Sequence, residues 1–243
     1  MLKTILITIG QVIFTLLLYL LGVLILGIAI YPGVLFCLFI WRHSTDFDIA
    51  YRLLALCFGA VSGYFIFGFV LIGIVGLLRF ILRLRLKEGE YSMFSLGAAK
   101  WALANSLQLI VSIVFMDFIL LTPFANLFFR LLGTKMGKHV QINSKFCADL
   151  SLLEIGDYSV IGGHSTVICH SFERGKFILR KVRIGKHVVV GLNSVILPGA
   201  EIGDGSVIAA GAVIPKNTIV EPRSIYSGVP AQPVRKHADR SSS

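Results

Sequence analysis

Charged residues are scarce in this sequence, and carboxylates are the scarcest of them. Asp and Glu number 13 against 23 Lys and Arg, and all four types make up 15 % of the 243 residues. None of them occurs from Thr4 to Trp41 or from Leu53 to Leu78, and only Asp117 lies between Trp101 and Phe129. A membrane-spanning helix needs about 20 apolar residues, so these absences predict membrane helices.

Cysteine is also rare, with four residues and no CxxC or Cys/His metal-binding spacing. The sequence therefore favours neither a disulfide framework nor a zinc module. Cys37 and Cys57 lie in apolar runs, and Cys147 reads as a small buried residue. Cys169 has the same interpretation, although its place beside His170 also makes it a minor candidate for a nucleophile.

Prolines interrupt the first and third apolar runs. At Pro32 the helix either kinks and continues or stops and leaves residues 34–41 at the membrane interface. The first run is too long for the apolar core of a signal peptide and lacks a cleavage site, so a membrane helix is favoured. Pro123 breaks the third run. An apolar stripe at helical spacing follows, which we expect on the membrane surface or beneath the next domain: Phe124, Leu127, Phe128 and Leu131.

The net charge of +10 favours an anionic membrane over nucleic acid, because the basic residues flank apolar runs. Residues 79–87 carry four of them and are expected in the cytoplasm by the positive-inside rule. If the third run crosses the membrane, the C-terminal half lies outside. If it dips in and returns, that half is cytoplasmic, which we favour because the chemistry below needs an intracellular donor. The protein is thus expected in the inner membrane.

A six-residue period dominates the C-terminal half. Successive blocks begin at Ile184, Val190, Ile196, Ile202 and Ile208, mostly with Gly or another small residue next, and the frame extends back to Met136 with one skip. This period fits neither a helix nor an ordinary hairpin. An inward aliphatic residue, a small residue and a turn in every six describe one side of a triangular parallel β-solenoid.

The predicted fold is an N-terminal α-helical transmembrane region followed by an all-β left-handed parallel β-helix. We expect membrane helices with an interfacial segment over residues 1–131, the β-helix over 132–235 and a flexible tail over 236–243. The hexads are interrupted between Val167 and Ile184, where residues 170–177 are predicted to leave the coil as a loop. Loops on rigid scaffolds often carry function, and His170 opens this one.

The hexad series resembles the bacterial-transferase hexapeptide family of left-handed β-helix acyltransferases. The resemblance rests on residues 184–199, on Ile202-Gly203-Asp204, on residues 210–214 and on the closing Gly228-Val229-Pro230-Ala231. Residues 131–137, Asp149-Leu150 and residues 170–173 resemble one branch more closely. That branch comprises the membrane-embedded C-terminal module of poly-ε-lysine-type nonribosomal peptide synthetases and its stand-alone relatives.

The resemblance implies a homotrimer with an active site in each cleft between neighbouring β-helices. It implies that acyl-CoA, most simply acetyl-CoA, or an acyl-carrier phosphopantetheine is the co-substrate, with no bound cofactor and no metal. His170 would be the general base, since an imidazole titrates near neutral pH. Glu173 would orient the imidazole. His139, His164 and His187 share with His170 the fourth place of a hexad, where an exposed turn residue is the simpler interpretation.

Several residues are candidates for binding donor or acceptor. Asp149, at the frame skip, could hold an acceptor amine or hydroxyl or could be a turn residue. Arg174 and Lys176, within a basic stretch that reaches Arg183, could hold donor phosphates or face the membrane. The remaining candidates would contact the donor or acceptor near the coils: His164, Asn193, Ala210 and Gly211.

The sequence is also compatible with three functions other than acyl transfer from acyl-CoA. The acceptor could be an amine on a peptide, with a carrier-protein thioester as donor and an amide bond as product. Some β-helices are zinc carbonic anhydrases, which need three histidines on one metal, and His164, His170 and His187 have poor spacing for this. A membrane scaffold without catalytic activity is the third possibility.

Overall fold

Three long helices form the N-terminal part of the computed structural model, which describes residues 2–236. They are α1 (Leu2–His43), α2 (Ile49–Ile81) and α3 (Leu96–Val114). Ile7–His43, α2 and α3 are each long and apolar enough to cross a membrane, by length and composition. α1 continues through Pro32, so residues 34–41 are helical and do not form an interfacial turn. The expected tail over 236–243 lies outside the described residues, apart from Lys236.

The chain divides into two compact units. One comprises the residues up to Leu78 together with Leu109–Val114, and the other comprises Arg79–Gln108 and the chain from Phe115 onward. The helical unit therefore contains α1, most of α2 and only the last residues of α3. The first two-thirds of α3 belong to the second unit.

Glycines allow close contact within the helical unit. A Cβ atom on Gly33 of α1 would lie 2.6 Å from the carbonyl oxygen of Gly63 in α2. Small residues at such a crossing let two helix backbones approach, which is how apolar helices associate without a hydrophobic driving force. Tyr64 of α2 donates a hydrogen bond to the carbonyl of Val114 at the end of α3.

The third apolar run does not form a single helix up to Pro123. α3 ends at Val114, and two short helices follow, α4 (Met116–Ile119) and α5 (Pro123–Leu131). Thr122 caps α5 by accepting a hydrogen bond from the backbone of Phe124 at 3.2 Å, and Pro123 occupies the first turn, where a missing N–H has no cost.

α5 lies under the first coil, one of the two predicted positions. Asn126 and Arg130 donate from their side chains to the carbonyls of Val140 and Gly137 at 2.8 and 2.7 Å. The predicted apolar stripe is only partly the buried face. Phe128 is buried, but Phe124 and Leu127 remain about half exposed. The other buried residues of α5, Ala125 and Phe129, lie outside the predicted stripe.

The rest of the second unit is a parallel β-solenoid of three sheets. Sheet I comprises β2 (Lys135–Met136), β4 (Leu153–Ile155), β9 (Val182–Ile184), β12 (Glu201–Ile202) and β15 (Ile219–Val220). Sheet II comprises β3 (Gln141–Ile142), β5 (Val160–Ile161), β10 (Val189–Val190), β13 (Val207–Ile208), β16 (Ser224–Gly228) and the antiparallel β17 (Ala231–Lys236). Sheet III comprises β6 (Thr166–Val167), β11 (Val195–Ile196) and β14 (Val213–Ile214).

Each coil places one aliphatic residue of every hexad in the interior. Ile161, Ile196 and Ile208 are completely buried, as the hexad pattern predicted. The small residues of the pattern are buried at the corners. Ser194 there donates to the carbonyl of Gly191 at 2.7 Å, so its hydroxyl is satisfied inside the coil.

The interrupted hexad leaves the coil, as predicted, but as a β-hairpin and not as a loop. Its strands are β7 (His170–Glu173) and β8 (Lys176–Leu179), and β1 (Gly89–Ser92) adds to β8 to give an antiparallel sheet in the order β1-β8-β7. The amide of Arg180 donates to the carbonyl of Cys169 at 2.8 Å and closes the hairpin where it rejoins the coil. A short 3₁₀ turn (Leu150–Leu152) precedes β4.

Candidate active site

His170 begins β7 at the corner where the chain passes from sheet III to sheet I. Its Nδ1 lies 2.6 Å from Oδ2 of Asp149, which comes from the same corner one coil earlier. An ionised carboxylate only accepts hydrogen bonds, so Nδ1 is the donor and Nε2 remains the nitrogen that can accept a proton. A fifth of the His170 side chain is exposed, so a small molecule can reach the ring, whereas the Asp149 side chain is fully buried.

Three donors hold the Asp149 carboxylate. Oδ2 accepts from the backbone N–H of Cys169 at 3.0 Å as well as from His170, and Oδ1 accepts from Nε1 of Trp101 at 2.6 Å. The backbone of Asp149 is left-handed, with φ of 56°, which Asp tolerates better than most residues. A buried carboxylate needs such hydrogen-bond partners. Both oxygens are thus used by these donors behind the imidazole, and the expected contact of Asp149 with an acceptor stays a prediction.

An aromatic cluster surrounds the imidazole. The Trp101 ring centroid lies 5.0 Å from that of His170 in an edge-on arrangement and 4.7 Å from that of Phe177. Phe172 and Phe177 pair across the hairpin, and Tyr91 of β1 continues the row beside Phe177. Phe177 is completely buried and Phe172 is half exposed. The cluster therefore excludes water from one side of the ring and leaves an apolar edge open beside it.

Glu173 does not orient the imidazole, so this part of the predicted site is wrong. Successive side chains alternate faces in a strand, and His170 and Glu173 are three residues apart on β7, so they point to opposite sides. Glu173 instead accepts from Ser171 Oγ at 2.8 Å and from Lys216 Nζ at 2.5 Å. The hydrogen bond from Lys216 holds the pKa of this exposed carboxyl below its usual value.

The basic stretch after His170 is largely paired with carboxylates. Lys176 contacts Glu90 of β1 at 2.7 Å, and this hydrogen bond raises the pKa of Lys176 and lowers that of Glu90. Lys181 and Arg183 also pair with carboxylates, those of Glu88, Glu154 and Glu201. Arg174 and Arg180 are exposed, and no carboxylate between residues 2 and 236 pairs with them. Of the two candidates for donor phosphates, Lys176 is therefore paired with Glu90 and Arg174 is not in an ion pair with a described carboxylate.

The other predicted binding residues lie at a different corner, between sheets II and III. His164, Asn193 and Gly211 occupy the same place on three successive coils, with φ of 54°, 55° and 70°, and Ala210 precedes Gly211. The amide of Asn193 donates to Gly163 at 3.0 Å, which keeps these turns in register. The width of sheet III separates this corner from His170, so one chain does not bring the two sets together.

His170 also differs from the histidines that share its place in the hexad. His139, His164 and His187 are exposed turn residues with φ of 53–54°, whereas His170 is part of a strand. His139 and His187 stack on either face of Tyr158, with centroids 5.1 Å away in both cases. The broken hexad therefore gives His170 a carboxylate partner in place of an exposed turn position.

Both cysteines of the solenoid are buried thiols. Cys169 is completely buried, and burial, with a smaller effect of the nearby Asp149 charge, raises the pKa of its thiol well above the usual value. Burial likewise raises the pKa of Cys147 to about 12. Both residues stay thiols at neutral pH, and the thiol is a much weaker nucleophile than the thiolate. Within residues 2–236, no group of three or more His, Cys, Asp or Glu residues is placed to hold a metal ion.

The sequence of the solenoid is similar to that of known hexapeptide-repeat proteins. Residues 181–216 match the family described as "Hexapeptide repeat of succinyl-transferase". The chain is 26 % identical over 163 residues to a delta-poly-L-ornithine synthetase of Acinetobacter baumannii, covering 66 % of this chain and 12 % of that protein. It is 30 % identical over 118 residues to the galactoside O-acetyltransferase of Escherichia coli, covering 43 % of this chain and 57 % of the relative. The chain thus spans little more than half the length of these relatives at most.

A solved structure shows the fold. A hexapeptide-repeat acetyltransferase of Vibrio cholerae, complexed with acetyl coenzyme A, superposes with a TM-score of 0.50 at 23 % identity. The superposition covers 65 % of this chain and 98 % of that chain. Such structures are left-handed β-helices, in agreement with the predicted class of the C-terminal half.

Proposed function

We propose that this chain is a hexapeptide-repeat acyltransferase, which is supported by its matches to that repeat and to an acetyltransferase. It moves an acyl group, most simply acetyl, from a pantetheine thioester to a hydroxyl or amine. The acceptor is a membrane-associated or cell-envelope molecule. The observation that carries the proposal is the contact of 2.6 Å between partly exposed His170 and buried Asp149. A histidine with one nitrogen held by a buried carboxylate and the ring open to solute is arranged for general-base catalysis.

The proposed reaction needs one proton acceptor and no covalent intermediate with the protein. Nε2 of His170 takes the proton from the acceptor hydroxyl or amine while the acceptor atom attacks the thioester carbonyl. The C–S bond then breaks, the acyl group stays on the acceptor, and the leaving sulfur takes the proton from the imidazolium to give the free thiol. Asp149 stabilises the imidazolium between these steps, and Trp101 with the Cys169 amide keeps the carboxylate in place.

The donor site proposed here lies at the corner of His164, Asn193, Ala210 and Gly211. Small residues there let an extended pantetheine chain approach the coil backbone, and the exposed Arg174 on the hairpin is a candidate for a donor phosphate. Because sheet III separates this corner from His170 on the same chain, donor and base meet only if a neighbouring chain supplies one of them. The proposal therefore includes a homotrimer with shared sites. A chain that is monomeric by native mass spectrometry and fully active in solution would contradict it.

The location proposed is the inner membrane, with the solenoid in the cytoplasm. It is supported by the three long apolar helices and by the basic residues that follow α2, which favour the cytoplasmic side. An acyl-CoA donor is also available on that side. Lys87→Cys places a thiol after α2, and its labelling by an impermeant reagent added outside intact cells would contradict this location.

The test of acyl transfer is a coupled measurement of thiol release and product. The full chain in detergent, mixed with acetyl-CoA and a membrane extract, is expected to release CoA and to add an acetyl group to an extract component seen by mass spectrometry. The matched control is the His170→Ala chain under the same conditions. Equal release of CoA by the two proteins would show that His170 is not the base.

A second candidate is amide-bond formation from an aminoacyl or peptidyl thioester on a carrier protein. The similarity to a delta-poly-L-ornithine synthetase, which includes two-thirds of this chain, favours it. The same base would deprotonate an amine, so the two functions differ in donor and not in mechanism. Turnover with a charged carrier protein, together with none for any acyl-CoA, would select this candidate.

A further inference from the structure

We propose that the helical unit binds one lipid with an anionic phosphate headgroup, its alkyl chain in a groove between α1 and α2 and its headgroup at Arg52. The proposal rests on the membrane location proposed above and not on acyl transfer. It can therefore fail while the catalytic proposal stands, and the reverse also holds.

The groove is a large apolar concavity confined to the helical unit. It encloses about 780 Å³ and is lined by Val34, Cys37 and Trp41 of α1, by Leu56 and Ala60 of α2 and by other apolar residues of the same unit. Volumes of about 300–1,000 Å³ are usual for sites that hold a small molecule. The lining has no ionised side chain, so an alkyl chain fits its chemistry and a sugar or nucleotide does not.

Arg52 adjoins this groove through Trp41. Its guanidinium carbon lies 3.6 Å from the centroid of the Trp41 ring, and its Nη2 donates to the Trp41 carbonyl at 3.3 Å. These contacts fix the side chain against the last turns of α1. A cation held at one end of an apolar groove gives the site two regions of different chemistry, which match the two parts of a lipid.

The guanidinium has a donor that the protein leaves unused. Nε of Arg52 is buried, and none of the described residues accepts a hydrogen bond from it. The nearby carboxylates are engaged elsewhere: Asp48 accepts from the Ile49 amide at 2.7 Å and Asp46 from Thr45 at 3.5 Å. No carboxylate among the described residues forms an ion pair with Arg52, so the charge of the guanidinium is not balanced by the protein and the geometry favours an external anion. A phosphate oxygen of a lipid headgroup supplies both the acceptor and the opposite charge.

The experiment compares lipids that differ only in headgroup charge. Native mass spectrometry of the full chain in detergent is used to titrate phosphatidylglycerol and phosphatidylcholine with identical acyl chains. Both lipids carry an anionic phosphate, but in phosphatidylcholine the quaternary ammonium balances its charge. The net negative headgroup of phosphatidylglycerol is therefore attracted more strongly to the Arg52 guanidinium, and this lipid is expected to bind about tenfold more tightly. Glycerol 3-phosphate, which has the phosphate but no chain, is expected not to compete.

Three variants assign the site. Arg52→Gln should abolish the tenfold difference, whereas Arg42→Gln, a matched change of an exposed cation in the last turn of α1, should keep it. Ala60→Phe fills the groove and should weaken both lipids. Equal affinity for the two lipids in the unmodified chain would mean non-selective lipid contact and overturn the proposal. An unchanged difference in Arg52→Gln would also overturn it, even if Ala60→Phe does not fold.

Discussion

His170→Ala is expected to lower kcat for acyl transfer by about 10²–10⁴-fold, the usual contribution of a general base. The side chain is partly exposed, so its removal should leave the solenoid folded and the affinity for the donor little changed. The measurement is the initial rate of thiol release at saturating donor, together with the melting temperature of each protein. His187→Ala is the matched control, because that residue is an exposed turn histidine stacked on Tyr158.

Asp149→Asn should lower kcat nearly as much as His170→Ala. The amide keeps the size of the carboxylate but loses the charge that stabilises the imidazolium, and its NH₂ group can favour the wrong imidazole tautomer. Trp101→Phe removes one of the three donors to Asp149 while keeping an aromatic ring, so a fall of about tenfold in kcat with little change in KM is expected. Glu173→Gln should have a smaller effect still, because Glu173 pairs with Lys216 on the other face of β7.

The loss of kcat is expected to be largest for His170→Ala and Asp149→Asn, smaller for Trp101→Phe and smallest for Glu173→Gln. A purely structural role for Asp149 would lower the melting temperature and change KM and kcat together. If Glu173→Gln abolished turnover while Asp149→Asn remained active, the assignment of the carboxylate would be reversed. Full activity of His170→Ala would refute the proposed mechanism altogether.

The sequence predicted the solenoid well because each coil repeats the same local requirement. Every hexad needs one inward aliphatic residue and one small corner residue, and both can be read without knowing any distant contact. The buried Ile161, Ile196 and Ile208 follow that pattern. The same frame showed where the chain leaves the coil, since the hexads stop after Val167 and resume at Ile184.

The partners of His170 could not be read in this way. Trp101 and Asp149 are 69 and 21 residues away from His170 in the sequence, and no periodic pattern connects the three. The uncharged run around Trp101 predicts a membrane helix and gives no sign of the hydrogen bond from Trp101 to Asp149. The hexad frame does indicate Asp149 as a partner of His170, because Asp149 lies at the skip in the frame and His170 lies at its interruption.

The sequence predicts a loop over residues 170–177, and this is why it assigns Glu173 to the imidazole. In a loop, a carboxylate three residues away can fold back onto a histidine. In a strand it cannot, because side chains alternate between faces. The alternating pattern in residues 170–173 and 176–179 was too short to distinguish a hairpin from a loop. The pairing with β1, which stabilises the hairpin, comes from a segment about 80 residues earlier.

Gly191→Ala is expected to destabilise the solenoid by about 3 kcal/mol, a large effect for one methyl group. A Cβ at this position would lie 2.5 Å from the amide nitrogen of Ala210 and 2.8 Å from the carbonyl oxygen of Ile208, both backbone atoms of the next coil. Neighbouring strands are fixed at about 4.8 Å by their hydrogen bonds, so the coil cannot open locally without losing them.

The measurement for Gly191→Ala is the melting temperature of the full chain in detergent, which should fall by about 6–12 °C. Gly175→Ala is the matched control, because a Cβ at this hairpin tip would meet no atom within 4 Å. Its positive φ of 76° makes alanine strained by only about 1 kcal/mol. A loss in Gly175→Ala as large as that in Gly191→Ala would attribute the effect to backbone conformation. A larger loss in Gly191→Ala would show that the glycines of the hexad are required because adjacent coils touch at the backbone.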